Sequence, residues 1–548
     1  MVQLPGGVKV LYRGSAVSRV LVLTLVAPVT AGSSSLVAQQ VWPALEPGPY
    51  AVGYMVRHEY DYSRTFKEKY DYFGEPTEGE IARPVQISIW YPVADSRGGE
   101  ALRLRAYYDA TATETDFARQ DQETLDRALA RFQRILTMEW GVTEEDRPRV
   151  IARLDSVFSQ ATFARAGAPP AAGPFPLVLH LPGYNASPFH HYPLFEFLAS
   201  HGYVVMAVPN MGAHSRTIDH EALSMDVQAR DLEFVYSHAR DLPFVDARRV
   251  ATTGMSWGGM SNVLFASRDS YVDVVVTFDG AITMPAELDL LEQVPGFELG
   301  SLRASYLQFL VSPDQAVFRP KDLRFWDALC YSDALMLQFS GVIHDDFAPG
   351  NLRLRLLSEP SPERMAYLED FARTLQRYTL AFLDTHLKGD RAAGEFLSNS
   401  PGANGVPEGM VSLSASKDAV APPPSQEEFG AIVMSRGPGV AEEVYRAAKQ
   451  IHPELQLITS SLMGPLYMEA FQSGDLDQAL AICRLWALGM PDDVGPLFSM
   501  ARVHRARGET EEAIQAYRKI LEIAPDHPAA ENARAAIEEL QRASGDIP

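Results

Sequence analysis

Residues 254–259 read Gly254-Met-Ser256-Trp-Gly258-Gly259, between a short apolar run at 250–254 and a helical pattern at 260–267. A serine at a sharp strand-to-helix bend is a nucleophile held out for reaction. The bend exposes its hydroxyl. The flanking residues must be small, because strand and helix pass close to them. The helix N-terminus that follows favours charge developing on an attacked carbonyl oxygen. The chemistry such a serine performs is acyl transfer. It requires a base, a carboxylate behind the base, and two N–H donors for the oxyanion.

Each partner has a candidate. His344, in Phe339-Ser-Gly-Val-Ile-His344-Asp-Asp-Phe347, follows an apolar run and fits the chain order serine, acid, histidine. His386 falls within a helical run and reads as a surface or packing residue. His190, His191, His201 and His214 all precede Ser256. Two carboxylates stand at strand ends: Asp279 after Val274-Val-Val-Thr-Phe278, and Asp314 after Leu307-Gln-Phe-Leu-Val-Ser-Pro313. Strand-end position does not choose between them; a carboxylate after the seventh strand is the commoner arrangement, which favours Asp314. The oxyanion donors are the backbone N–H groups of Trp257 and Tyr184, the latter in His180-Leu-Pro-Gly183-Tyr184. Gly183 lets that loop approach closely. His180 and Met255 are further candidates for the pocket wall.

Positioning these groups takes a sheet with helices between its strands. Strand-like runs are expected at 52–60, 85–91, 177–181, 203–208, 250–254, 272–278, 305–311 and 335–339. The later runs are almost wholly apolar, as parallel strands buried on both faces are. Helical patterns fall at 192–200, 224–240, 260–267, 321–329 and 362–387. The alternation predicts an α/β fold with a mainly parallel sheet, and eight strands match the α/β-hydrolase fold. A charged amphipathic stretch at 112–166 lies outside the alternation. It reads as a helical insertion between the second and third strands, a cap near the site.

The expected organisation is an α/β-hydrolase domain at 46–395, a linker at 396–437 and a helical region at 438–548. The linker reading rests on Ser398-Asn-Ser-Pro-Gly-Ala-Asn-Gly405 and Ala421-Pro-Pro-Pro-Ser425. In the last region Gly474 and Gly508 stand 34 positions apart, as do Ala479 and Ala513, and Pro491 and Pro525. A period of 34 is that of tetratricopeptide-like helix–turn–helix repeats. Two repeats are fewer than the ~3 a free-standing stack needs. They are expected to pack on a preceding helix at 440–452, on the first domain or on a second copy.

Composition narrows the partners. The net charge of −22 excludes a nucleic-acid ligand, which needs a basic face. The two cysteines, Cys330 and Cys483, fall in different domains and exclude a disulfide framework or a cysteine-based metal site. Lys9, Arg13 and Arg19 precede an apolar run at 20–27 and small residues at 31–35. Residues 1–38 therefore read as an export signal, too short to span a bilayer, and the protein as periplasmic or secreted. The expected ligand is a small-molecule or lipid ester, with a protein partner or self-association through 438–548 and no stable membrane span.

Four segments resemble the secreted platelet-activating-factor acetylhydrolases and their bacterial relatives near the dienelactone hydrolases. They are Gly48-Pro-Tyr-Ala-Val-Gly53, Pro176 to Val205, Gly254 to Gly259 and Ile343-His344-Asp-Asp-Phe347. The resemblance covers 46 to roughly 390. It implies that the triad acid follows the strand after the elbow helix, which is Asp279, 23 residues beyond Ser256. It further implies a calcium-independent carboxylic-ester hydrolase for short or oxidised acyl chains, commonly on phospholipids, with no cofactor and no metal. A polyester, cutinase-like or dienelactone-type hydrolase is an alternative, as is a scaffold that binds proteins through its repeats.

Overall fold

The structure is a computed structural model. It describes residues 46–94, 98–139, 141–313, 321–350, 361–420 and 422–544. The expected export segment at 1–38 and the alternative acid Asp314 lie outside the described residues. The chain divides into two compact units, 1–420 and 421–548.

The first unit is built on one sheet. Its strands are β1 (Ala51–Phe66), β2 (Ile81–Val93), β3 (Glu100–Arg103), β4 (Ala161–Ala166), β5 (Phe175–Leu181), β6 (Val204–Ala207), β7 (Val245–Met255), β8 (Val274–Phe278), β9 (Ser305–Val311), β10 (Ala334–Phe339) and β11 (Val411–Lys417). They lie in the order β11-β10-β9-β8-β7-β5-β6-β2-β1-β4-β3. Strands β6, β5, β7, β8, β9 and β10 run parallel. β2 runs antiparallel to β6 and to β1, and β11 is antiparallel to β10.

Burial explains the apolar runs. All seven residues of β5 are buried, and the period of two splits them between the sheet faces. Leu177, Leu179 and Leu181 join one core layer with Val263, Val275 and Tyr306. Val178 joins the other with Phe195, Phe278, Phe309 and Phe371. The helix Pro362–Lys388 covers that second face with Phe371, Leu375, Tyr378 and Phe382. The register aligns Leu181 with Gly254, Met255 with Phe278, and Phe278 with Phe309. The loops after β5, β7, β8 and β10 therefore share the carboxyl edge of the sheet, where open α/β sheets place their sites.

Four expectations need correction. The sheet is mixed and has eleven described strands, not eight, because β3, β4 and β11 extend its edges. The segment read as a linker carries β11, which pairs with β10, and a helix at Gln426–Ser435 whose Ser425 and Glu428 form a capping box. Serine alternating with Val411, Leu413 and Ala415 hid a half-exposed edge strand. The insertion is not all helix: it holds helices Gln122–Glu139 and Arg147–Phe158 and ends in β4. The helix expected at 321–329 is confined to Arg324–Ala328.

In the second unit, helices Ser460–Gln472, Leu476–Gly489, Gly495–Arg507 and Thr510–Ile523 carry the 34-residue repeat. Ala479 and Ala513 are fully buried where paired helices meet. Gly474 and Gly508 take φ of 83° and 77°, the left-handed conformation that ends a helix. The preceding helices Gln426–Ser435 and Pro438–Ile451 supply Phe429, Val433, Ala441 and Tyr445 to one core with Tyr467 and Cys483. The repeats thus stack on a preceding helical pair, the first of the three packing arrangements expected.

Candidate active site

Ser256 sits between the last residue of β7 and the helix Trp257–Arg268, with φ 54° and ψ −123°. Such a conformation costs a non-glycine residue about 1–3 kcal/mol and persists only where the surroundings hold it. Here they do. The Ser256 N–H donates to the Phe278 carbonyl at 3.1 Å, and the Ser256 carbonyl accepts from Ala281 at 2.9 Å and Gly259 at 3.1 Å. A Cβ at Gly254 would lie 2.4 Å from Asn262 Nδ2, and one at Gly258 would lie 2.2 Å from the Pro182 carbonyl oxygen. Both positions require glycine for the close approach. Gly183 does not: its Cβ would meet Ser256 Cβ at 3.6 Å, an ordinary contact.

Asp279 follows β8 with φ 42° and is almost wholly buried. Its Oδ2 accepts from His344 Nδ1 at 2.7 Å. Its Oδ1 accepts from the Val311 N–H and from Lys321 Nζ, each at 3.1 Å. Burial alone would raise its pKa. The His344 hydrogen bond, the Lys321 charge and the Val311 N–H overcome that and hold the carboxyl well below the ordinary range. Burial likewise pushes His344 down, but the bond and charge of Asp279 outweigh it, with Asp345 adding and Lys321 opposing, so its pKa is raised.

The loop carrying His344 is anchored on both sides. Asp346 accepts from the Ile343 N–H at 2.8 Å. Phe347 is fully buried against Phe339 and Phe371. With Nδ1 committed to Asp279, the other ring nitrogen is left for a substrate proton. Ser256 Oγ makes no hydrogen bond to His344 among the described residues; such bonds are commonly long before substrate binds.

On the other side of Ser256, neither the Tyr184 N–H nor the Trp257 N–H donates to another described group. The Tyr184 ring meets Trp257 edge-on at 5.5 Å, and its hydroxyl donates to the Ile218 carbonyl at 2.5 Å. Asn185 next to it is left-handed at φ 55°, held by the Ile218 N–H on its Oδ1 at 2.7 Å.

Two expected pocket residues are buried. His180 is fully buried, bonded through Nδ1 to Thr253 Oγ1 at 2.8 Å and packed on His191 and Phe195. Burial lowers its pKa to about 3, so it is neutral packing. Met255 is also buried. His386 bonds Ser305 at 3.0 Å, away from the site. Sequence reasoning missed Lys321, which sits 3.1 Å from Asp279 and 3.3 Å from Thr283 Oγ1. It lies 42 residues beyond Asp279 with no motif around it. It also missed Arg216, whose guanidinium donates to the Asn185 carbonyl and to Ser187 Oγ.

Residues 470–537 match the tetratricopeptide repeat family model. No curated protein matches the chain. Among solved structures the chain is similar to a ferulic acid esterase from Streptomyces cinnamoneus, at 21% identity, covering 69% of this chain and 98% of that one, with a TM-score of 0.45. Among the described residues no helix is long and apolar enough to cross a membrane, and no three His, Cys, Asp or Glu side chains group to hold a metal ion.

Proposed function

We propose that this protein is a serine carboxylic-ester hydrolase with Ser256, His344 and Asp279 as its triad. One observation carries the reading: the 2.7 Å bond between His344 Nδ1 and a buried, doubly supported Asp279, on the sheet edge that also carries the strained Ser256. His344 takes the proton of Ser256 as its oxygen bonds to the ester carbonyl carbon. The Tyr184 and Trp257 N–H groups receive the oxyanion, each worth ~3 kcal/mol. Collapse breaks the ester C–O bond, and His344 protonates the departing alcohol. Water then attacks the acyl-enzyme by the same route, releasing the acid and restoring Ser256.

The proposed substrates carry short or oxidised acyl chains, including phospholipid-type esters, as the resemblance of residues 176–205, 254–259 and 343–347 implies. The site is proposed to work outside the cytoplasm. The test is a fluorophosphonate label mapped by mass spectrometry, followed by p-nitrophenyl esters from acetate to palmitate. The adduct is expected on Ser256, with rates falling as the chain lengthens. An unlabelled Ser256 would sink the hydrolase reading. A maximum at palmitate would replace the short-acyl assignment.

A further inference from the structure

The segment between β3 and β4 holds most of the stretch 112–166 that is expected to cap the site. Its contacts describe a different job. Glu114, just after the short helical turn Ala110–Thr113, is buried and pairs with Arg216 Nε at 2.8 Å. From that position the Arg216 guanidinium reaches two groups in the loop after β5. It donates to the Asn185 carbonyl at 3.2 Å and to Ser187 Oγ at 3.1 Å. The Arg216 backbone N–H is itself fixed by Glu68 Oε1 at 3.0 Å. Farther along the loop, Phe189 is buried against Tyr108 at 4.3 Å and Phe132 at 5.8 Å between ring centres. Both rings belong to the same segment. The loop that begins at Tyr184 is therefore gripped twice, by a planar fork and by an aromatic seat.

Resting on the hydrolase reading, we propose that Arg216, held by Glu114, is a positioning residue that aims the Tyr184 N–H at the oxyanion. Its bonds fall on the first and third residues after Tyr184. Residue 185 is left-handed; without Arg216 its carbonyl loses that bond and the Ile218 N–H on its Oδ1 is left to hold the strained angles, which then relax more readily. The Tyr184 N–H lies in the 183–184 peptide, two units before the 185–186 peptide whose carbonyl Arg216 holds, so changed backbone angles at 184 and 185 re-aim it. A donor displaced by an ångström loses its value in the transition state while substrate binding is little altered. The inserted segment is thus a buttress of the oxyanion loop.

Three variants of the full chain test this: Arg216→Ala, Glu114→Gln and Ser187→Ala. The last removes one bond of the fork and leaves the buried ion pair intact, so it reports even where Arg216→Ala fails to fold. Rates are normalised to fluorophosphonate-titrated sites. Arg216→Ala is expected to lower kcat about 100-fold with KM changed less than about threefold. Glu114→Gln and Ser187→Ala each lower it about tenfold or less. Affinity for a trifluoromethyl ketone falls in parallel with kcat/KM, because that ligand reads the oxyanion site. Added guanidinium restores part of the Arg216→Ala rate. Wild-type protein without label on Ser256 overturns the hydrolase reading itself. A labelled, active wild type, with Ser187→Ala and Arg216→Ala both near its rate, or with the loss carried by KM, overturns only the positioning role.

Discussion

The two units of this chain assemble in opposite ways. In the helical unit, the residues that matter to one another are neighbours in the sequence. Ala479 and Ala513 repeat at the same place in successive hairpins, and Gly474 and Gly508 end helices by their own backbone angles. In the α/β unit, the candidate site gathers residues 184, 216, 256, 279, 321 and 344 from separate loops of one sheet edge. Ser256, Asp279 and Asn185, the described non-glycine residues with positive φ, all belong to it. Each is held by partners distant in sequence: Ser256 by Phe278, Asp279 by Phe309, Asn185 by Ile218. Local structure can be repeated; a strained site has to be enclosed.

Three changes sharpen or break that contrast. The largest effect is expected from Asp279→Asn, which keeps the side chain's shape but presents the wrong partner to His344 Nδ1. It should lower kcat about 10³-fold or more on a short ester, measured at saturating substrate. A loss of less than tenfold would mean that the enclosure of Asp279 is structural and the acid lies elsewhere.

Lys321→Met should act more gently, through pH. Lys321 opposes protonation of His344, so removing its charge raises the His344 pKa further. The reaction needs neutral His344, and the acidic limb of the kcat/KM profile should move to higher pH. An unmoved limb would show that the ammonium 3.1 Å from Asp279 has no electrical hold on the histidine, and one displaced downward that its hold has the opposite sign.

The smallest effect belongs to the other unit. Gly508→Ala meets no atom within 4 Å, so it costs only the left-handed backbone, about 1 kcal/mol of that unit's stability in denaturant unfolding. Ester hydrolysis should be unchanged. A loss of several kcal/mol would contradict the local character of the repeats.

How much of this was open to sequence reading follows the same division. The elbow could be read because its requirements are adjacent: a strand, two glycines around a serine, a helix. His344 could be read because chain order after the last parallel strand, β10, is a one-dimensional rule. Gly183 was recognised for a space it does not need, since the neighbouring atoms leave room for a Cβ. His180 was placed in the pocket because strand ends in general lie near it; its side chain turns instead into the layer with Val178 and Phe195. β11 was taken for a linker because an edge strand buries too little to show a strong apolar pattern.

The sequence by itself determined the Gly-Met-Ser-Trp-Gly bend that makes Ser256 the proposed nucleophile, the alternation that builds a mainly parallel sheet, and the 34-residue period, because each is written in residues close enough to be compared directly. Only the tertiary structure decided which carboxylate stands behind His344, that Lys321 shares it, and that the inserted segment grips the loop after β5 through Arg216. Those are relations across 65, 42 and 102 positions. Charge and hydrogen bonding act through space, and the distances that set them exist only once the sheet has brought its loops to one edge.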